Sequence, residues 1–162
     1  MLTQNLYIPD KLIFDIPEYC IYNSTGNGEI IMESGGEIII EDGSKLLIDG
    51  QTLRSCQNMW KGIYVERGGE LILNDCIIAN AQFGITAEKG SKISVFGTTF
   101  LNNYIGIYVP PDPNVVLPAN NVDLFLMNNA FIGIGSMLPP YLFQTGELTV
   151  LLLQAGKGDP KG

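Results

Sequence analysis

The apolar residues of the chain fall into short runs that alternate with polar residues and end at glycines. Such runs occupy positions 29–32, 37–40, 62–65 and 70–73. Alternation with a period of two predicts β-strands, and the runs lack the three-to-four-residue apolar spacing of an amphipathic helix. The chain is therefore predicted to be all β.

The strand pattern repeats every 22 residues between positions 60 and 109. Three segments align at this spacing on their Gly-Ile pairs, namely 60–65 (WKGIYV), 82–87 (QFGITA) and 104–109 (YIGIYV). A fixed period in the twenties predicts a solenoid, in which each coil buries its apolar face only by stacking on its neighbours. Three short strands per coil predict a single-stranded parallel β-helix that rises by roughly 4.8 Å per coil.

Strand alternation assigns residues to the inside or the outside of this stack. The inward columns are expected to hold Ile63, Val65, Leu71, Leu73 and Ile78 and their equivalents Ile85, Ala87, Ile93, Val95, Phe100, Ile107 and Val109. Tyr64, Thr86 and Tyr108 form an outward column. Asn80 lies one period before Asn102, which predicts an asparagine ladder with side-chain amides bonded from coil to coil.

The repeat also divides the chain into three parts. Residues 1–27 are predicted to be an N-terminal cap or an incomplete first coil, and 28–132 the coils themselves. A spacing of 25 residues before Ile63 places three extra residues in the turn at 54–58, and a spacing of 31 after Ile93 places a nine-residue insertion at 110–121. Residues 133–162 are predicted to be an irregular final coil or cap with a truncated tail, including a strand at 148–153.

Composition excludes several classes of function. The net charge of −8 argues against binding to nucleic acid or to an acidic membrane surface, since both need clustered basic residues. The absence of histidine excludes Ser-His and Cys-His nucleophile pairs and imidazole metal sites. Three cysteines without metal-ligand spacing indicate neither a zinc site nor a disulfide framework, and Cys76 is predicted to be a buried free thiol. No apolar run has the length of a membrane span.

Four segments together resemble a known family. They are 59–63 (MWKGI), 68–73 (GGELIL), 80–85 (NAQFGI) and 99–107 (TFLNNYIGI). They look like the right-handed parallel β-helix repeats of large secreted bacterial surface proteins, which share the pectate-lyase-like fold. The resemblance implies a right-handed solenoid over about residues 28–132, an extracellular or cell-surface location, and a parent chain with other domains. It does not define an activity, because this fold carries enzymes, adhesins and stalks alike.

The first functional hypothesis is a noncatalytic module that adheres to surfaces or binds glycan. Its candidate ligand-binding residues are Tyr64 and Tyr108 in the outward column, with Trp60 and Tyr104 at the starts of the same strands. Aromatic faces in a row suit sugar rings, which present C–H groups to π systems. The bland alternative is that the tyrosines merely favour a strand surface and that Trp60 or Tyr104 is half buried in a turn.

The second hypothesis is a polysaccharide-cleaving enzyme, either a glycoside hydrolase or a lyase. Glu66 and Glu88 are 22 residues apart and are predicted to stack, at a separation of about 5 Å that suits retaining glycoside hydrolysis. Like charges in a column are also typical of a solvated acidic face, so catalysis is the weaker expectation. Lyases of this fold need a basic residue and clustered calcium-binding aspartates, and Asp42, Asp49 and Asp75 do not form such a set. No metal site and no cofactor are indicated. The third hypothesis is a structural spacer.

Overall fold

The computed structural model describes residues 28–111 and 122–141 in full and, before them, the backbone of three short strands. Sixteen strands make up this part of the chain, and it contains no helix. They are β1 Leu6–Ile8, β2 Lys11–Phe14, β3 Tyr22–Thr25, β4 Glu29–Met32, β5 Glu37–Ile40, β6 Lys45–Asp49, β7 Thr52–Ser55, β8 Trp60–Val65, β9 Glu70–Asn74, β10 Ile77–Ala79, β11 Ala81–Ala87, β12 Lys92–Phe96, β13 Thr99–Leu101, β14 Ile105–Tyr108, β15 Asp123–Met127 and β16 Ala130–Ile132.

The strands form three parallel sheets that run along the stack. Sheet A contains β1-β4-β7-β10-β13-β16, sheet B contains β2-β5-β8-β11-β14, and sheet C contains β3-β6-β9-β12-β15. Each coil contributes one strand to A, then B, then C, and three complete coils lie within the continuous stretch 28–97. The fold is therefore a parallel β-helix, as the repeat predicted.

The strand register confirms the predicted spacings and corrects one of their causes. Ile38 pairs with Ile63, Ile85 with Ile107, and Ile93 with Leu124, at 25, 22 and 31 residues. The spacing falls from 25 at Arg54–Ala79 to 21 at Trp60–Ala81, so the turn after β7 holds four extra residues rather than three.

A β-bulge between Phe83 and Ile85 restores the 22-residue spacing. Gly62 therefore pairs with Phe83, one position away from the Gly62–Gly84 equivalence that the sequence repeat predicted. The backbones approach closely here, because a Cβ on Gly62 would lie 1.5 Å from the Phe83 carbonyl oxygen. Only glycine fits at position 62.

The inward columns form one continuous apolar core. Its buried members confirm the predicted inward residues: Met32, Ile38, Ile40, Leu46, Ile48, Leu53, Trp60, Ile63, Val65, Leu71, Leu73, Cys76, Ile78, Ala81, Ile85, Ala87, Ile93, Val95, Phe100 and Ile107. Val109, at the end of the described stretch, is partly buried against them. Cys76 is a free thiol that donates to the backbone oxygen of Asn74, and burial raises its pKa.

The corner between sheets A and B corrects the predicted asparagine ladder. Asn80 and Asn102 take left-handed backbone conformations, with φ of 58° and 52°, which asparagine tolerates better than most residues. The amide of Asn80 donates to the Ser55 carbonyl oxygen at 3.2 Å, while that of Asn102 accepts from the Ile134 N–H at 2.6 Å. These side chains bond to the backbone of adjacent coils, so the amide-to-amide ladder is wrong.

The two ends of the chain extend and then leave the stack. Strands β1–β3 add one strand to each sheet, so residues before Gly28 contribute to a first coil. After β16 the chain turns back along the corner of sheets A and B, where the Pro139 carbonyl oxygen accepts from the Met59 N–H at 2.8 Å. Residues 112–121 of the predicted insertion and the predicted strand at 148–153 lie outside the described residues.

Candidate functional site

The outer face of sheet B holds the outward column that the sequence predicted. The strand register places Ile39, Tyr64, Thr86 and Tyr108 side by side on successive coils. All four are partly exposed, while the residues before and after Tyr64, Ile63 and Val65, are fully buried. Tyr64 and Tyr108 are therefore separated by two strand spacings, roughly 9.6 Å, with the shorter Thr86 between them.

The Tyr64 side chain is fixed by a carboxylate of the next coil. Its hydroxyl donates a hydrogen bond to Glu88, and the other oxygen of Glu88 accepts from the Arg67 N–H at 3.2 Å. Burial raises the pKa of the Tyr64 hydroxyl, and the hydrogen bond to Glu88 and the charges of Glu88, Glu66 and Glu37 raise it further. Tyr64 therefore stays neutral near pH 7 and acts as a hydrogen-bond donor with an apolar ring.

The Tyr108 ring is fixed by an aromatic neighbour. Phe83 lies 5.2 Å from it between ring centroids, at an angle of 31°, and both rings are partly exposed. Contacts of this tilted kind are favourable between aromatic rings. We call Tyr64, Phe83 and Tyr108 the aromatic strip.

Trp60 does not belong to this surface, contrary to the prediction. Its side chain has 0% exposure and its Nε1–H donates to the Ala79 carbonyl oxygen at 2.8 Å. The four-residue extension of the preceding turn shifts Trp60 into register with buried Ala81, so the indole packs into the core. Trp60 is a core residue, and it is removed from the candidate ligand-binding set.

Tyr104 lies at the start of β14 with one face of its ring covered. The ring of Tyr141 stacks on it with centroids 4.0 Å apart and planes within 4°. Tyr141 comes from the segment 133–141, whose Met137 is buried and whose Pro139 bonds to Met59. The structure thus separates the four predicted ligand-binding residues: Tyr64 and Tyr108 share the outer face of sheet B, whereas Trp60 and Tyr104 are occupied by contacts within the chain.

The two candidate catalytic carboxylates follow equivalent strands. Glu66 comes directly after β8 and Glu88 directly after β11, where Val65 pairs with Ala87. Both oxygens of Glu88 accept hydrogen bonds from the chain itself. Within 28–111 and 122–141, no group of three or more histidine, cysteine, aspartate or glutamate side chains is arranged to hold a metal ion.

Sequence reasoning did not identify Phe83 or Thr86 as parts of the site. Phe83 was aligned with Lys61, because the repeat was carried through the glycines without the bulge at Gly84. Thr86 was placed in the correct column but interrupts the aromatic series. Two aromatic residues flanking a Gly-Ile pair, as at Phe83 and Tyr108 on neighbouring coils, were the available signal.

The class of protein follows from the stacked parallel sheets: a β-solenoid whose outer face carries a short aromatic strip. A family model described as a right-handed beta helix region matches residues 14–122, which is well over half of the chain. The chain belongs to this right-handed β-helix family. No curated protein and no solved structure matches the chain. In the described ranges there is also no helix with the length and hydrophobicity needed to cross a membrane.

Proposed function

We propose that this protein is a noncatalytic, extracellular β-helix module that binds glycan at the aromatic strip, within a larger secreted or surface protein. The observation that carries the proposal is the pair Tyr64 and Tyr108 on the outer face of one sheet, with Thr86 between them. A small residue between two large ones leaves a shallow depression flanked by rings. Sugar rings fit such a surface because their C–H faces pack on aromatic rings while their hydroxyls stay hydrated.

The strip also has the rigidity that binding requires. The Glu88 hydrogen bond holds Tyr64, and the contact with Phe83 holds Tyr108, so these side chains lose little further freedom when a ligand packs on them. The Thr86 hydroxyl adds a donor and an acceptor in the middle of the surface. The extracellular location rests on the resemblance to secreted surface proteins.

The test is a glycan array on the purified protein, with and without calcium. We expect selective binding that the double substitution Tyr64→Ala and Tyr108→Ala weakens by about tenfold or more, equivalent to about 1.4 kcal/mol. Phe96→Ala is the matched control, because Phe96 is a partly exposed aromatic residue on sheet C rather than sheet B. It should bind as the unsubstituted protein does.

Three outcomes would contradict the proposal. Absence of binding in both conditions would favour a structural spacer. Binding that survives the double tyrosine substitution would place the ligand elsewhere. Cleavage of a bound glycan that is abolished by Glu66→Gln or Glu88→Gln would assign the protein to the polysaccharide-active enzymes instead.

A further inference from the structure

The last described coil differs from the others in its exposed apolar residues. Among the described residues, the large hydrophobic side chains with the greatest exposure are Ile134 at 65%, Phe125 at 54% and Met127 at 48%. The inward residues Leu124 and Leu126 are only partly buried, although their partners one coil earlier are fully buried. Both faces of β15 therefore carry apolar surface that the described chain does not cover.

The backbone of β15 also has an open edge. It is the last strand of sheet C and pairs on one side only, with β12, within the described residues. Such an edge offers unpaired N–H and C=O groups to any extended segment that can reach it. A segment that fits must supply backbone hydrogen bonds and apolar side chains on both of its faces.

The chain itself contains one segment with these properties. Residues 148–153 read Leu-Thr-Val-Leu-Leu-Leu, which alternates to give an apolar set on one face and a mostly apolar set on the other. They lie outside the described residues, seven residues beyond Tyr141. We propose that this segment binds the open edge of β15 as an added parallel strand and closes the end of the solenoid.

Reach and concentration favour this occupant over a separate molecule. Tyr141 is held at the last described coil by its stacking on Tyr104, so the following segment starts at the correct end of the stack. Seven residues span up to roughly 23 Å when extended, more than the length of a five-residue strand. A covalently linked segment also has a millimolar effective concentration, roughly, which a second copy does not reach in dilute solution.

The experiment is amide hydrogen exchange on the full chain, comparing the peptide that contains β15 with one that contains β9 in the middle of the stack. Val150→Pro removes a backbone donor from the centre of the segment and should disrupt its pairing. We expect β15 to exchange about tenfold faster or more in this variant, because its edge opens locally. The β9 peptide should keep its rate.

Lys157→Pro is the matched control, since it places the same substitution outside the segment and should leave β15 unchanged. If Val150→Pro also accelerated exchange in β9, Leu151→Asp would serve as the gentler variant, with the same expected effect confined to β15. Equal β15 rates in the unsubstituted chain and in a variant with intact β9 exchange would overturn the proposal. Protection of β15 that rises with protein concentration and survives Val150→Pro would assign the edge to a second copy, which also overturns it.

Discussion

The central coils and the last described coil are made from equivalent residues and differ in burial. Ile93, Val95 and Phe100 have exposures of 1%, 0% and 2%, whereas their partners Leu124, Leu126 and Phe131 are only partly buried. Residue type and inward orientation are the same in both sets. A solenoid core residue is therefore buried by the coils on both sides of it, and the end coil shows what one side alone provides.

The largest expected effect is a charge placed in an inward column. Ile85 has 0% exposure and lies between Ile63 and Ile107, so Ile85→Asp leaves an unpaired carboxylate in the middle of the stack. Because burial of such a charge costs more than the roughly 5–15 kcal/mol by which a domain is stable, we expect the variant to be unfolded at 25 °C. Circular dichroism melting is the measurement.

Leu124→Asp is the companion variant at the end of the stack. A charge there can be accommodated by loss of contacts above the last coil, without disrupting the coils below. We expect a folded protein with a lowered melting temperature. A wild-type melting temperature for Ile85→Asp would show that the inward assignment is wrong, and equal damage at both positions would remove the distinction between the two regions.

A smaller difference is expected at two equivalent glycines. A Cβ on Gly84 would lie 2.5 Å from the Gly106 carbonyl oxygen and 2.9 Å from the buried Phe100 ring. A Cβ on Gly106 would meet the Phe131 ring at 2.6 Å, and Phe131 belongs to the less buried end of the stack. Backbone cannot move aside as a ring at an open end can.

We therefore expect Gly84→Ala to destabilise by about 1–3 kcal/mol, the usual cost of overpacking, and Gly106→Ala by less. Urea unfolding of both variants provides the comparison. A cost at Gly106 equal to or above that at Gly84 would mean that the last coil is packed as tightly as the central ones.

Much of the fold could be predicted from the sequence, because each coil repeats the same constraint. The inward positions Ile63, Ile85 and Ile107 must all be apolar, and their 22-residue spacing is visible directly. The bulge at Gly84 could not be predicted in this way, since a single added residue leaves the Gly-Ile pairs aligned. It displaced the predicted register of Phe83, and with the longer turn after β7 it placed Trp60 in the core.

The candidate site was less predictable than the core. Outward positions are not constrained by stacking, so the column of Tyr64, Thr86 and Tyr108 followed from alternation alone. Its polar environment depends on contacts between coils, such as that between Tyr64 and Glu88, 24 residues apart. The covering of Tyr104 by Tyr141 joins segments outside the repeat, and no periodic pattern indicates it.

The smallest expected effect concerns an ion pair between coils on the outside of the stack. Arg54 donates to Glu29 through two nitrogens, and the side chains are 33% and 31% exposed. The hydrogen bond from Arg54 lowers the pKa of the Glu29 carboxyl, so the pair stabilises the fold above the ordinary carboxyl pKa and loses this contribution as the pH falls through the lowered value. Because solvent screens a partly exposed pair, Arg54→Met should cost about 1 kcal/mol or less near pH 7.

The pH dependence of that cost distinguishes an electrostatic role from a packing role. If the ion pair is responsible, the stability difference between Arg54→Met and the unsubstituted protein disappears in acid, where Glu29 is protonated in both. Lys61→Met, which breaks the longer and more exposed pair with Glu37 at 3.4 Å, should show a smaller difference at every pH. A difference for Arg54→Met that persisted unchanged into acid would mean that the arginine stem acts by packing on sheet A. A difference of several kcal/mol near pH 7 would show that contacts outside the stack, and not only its inward columns, hold the central coils together.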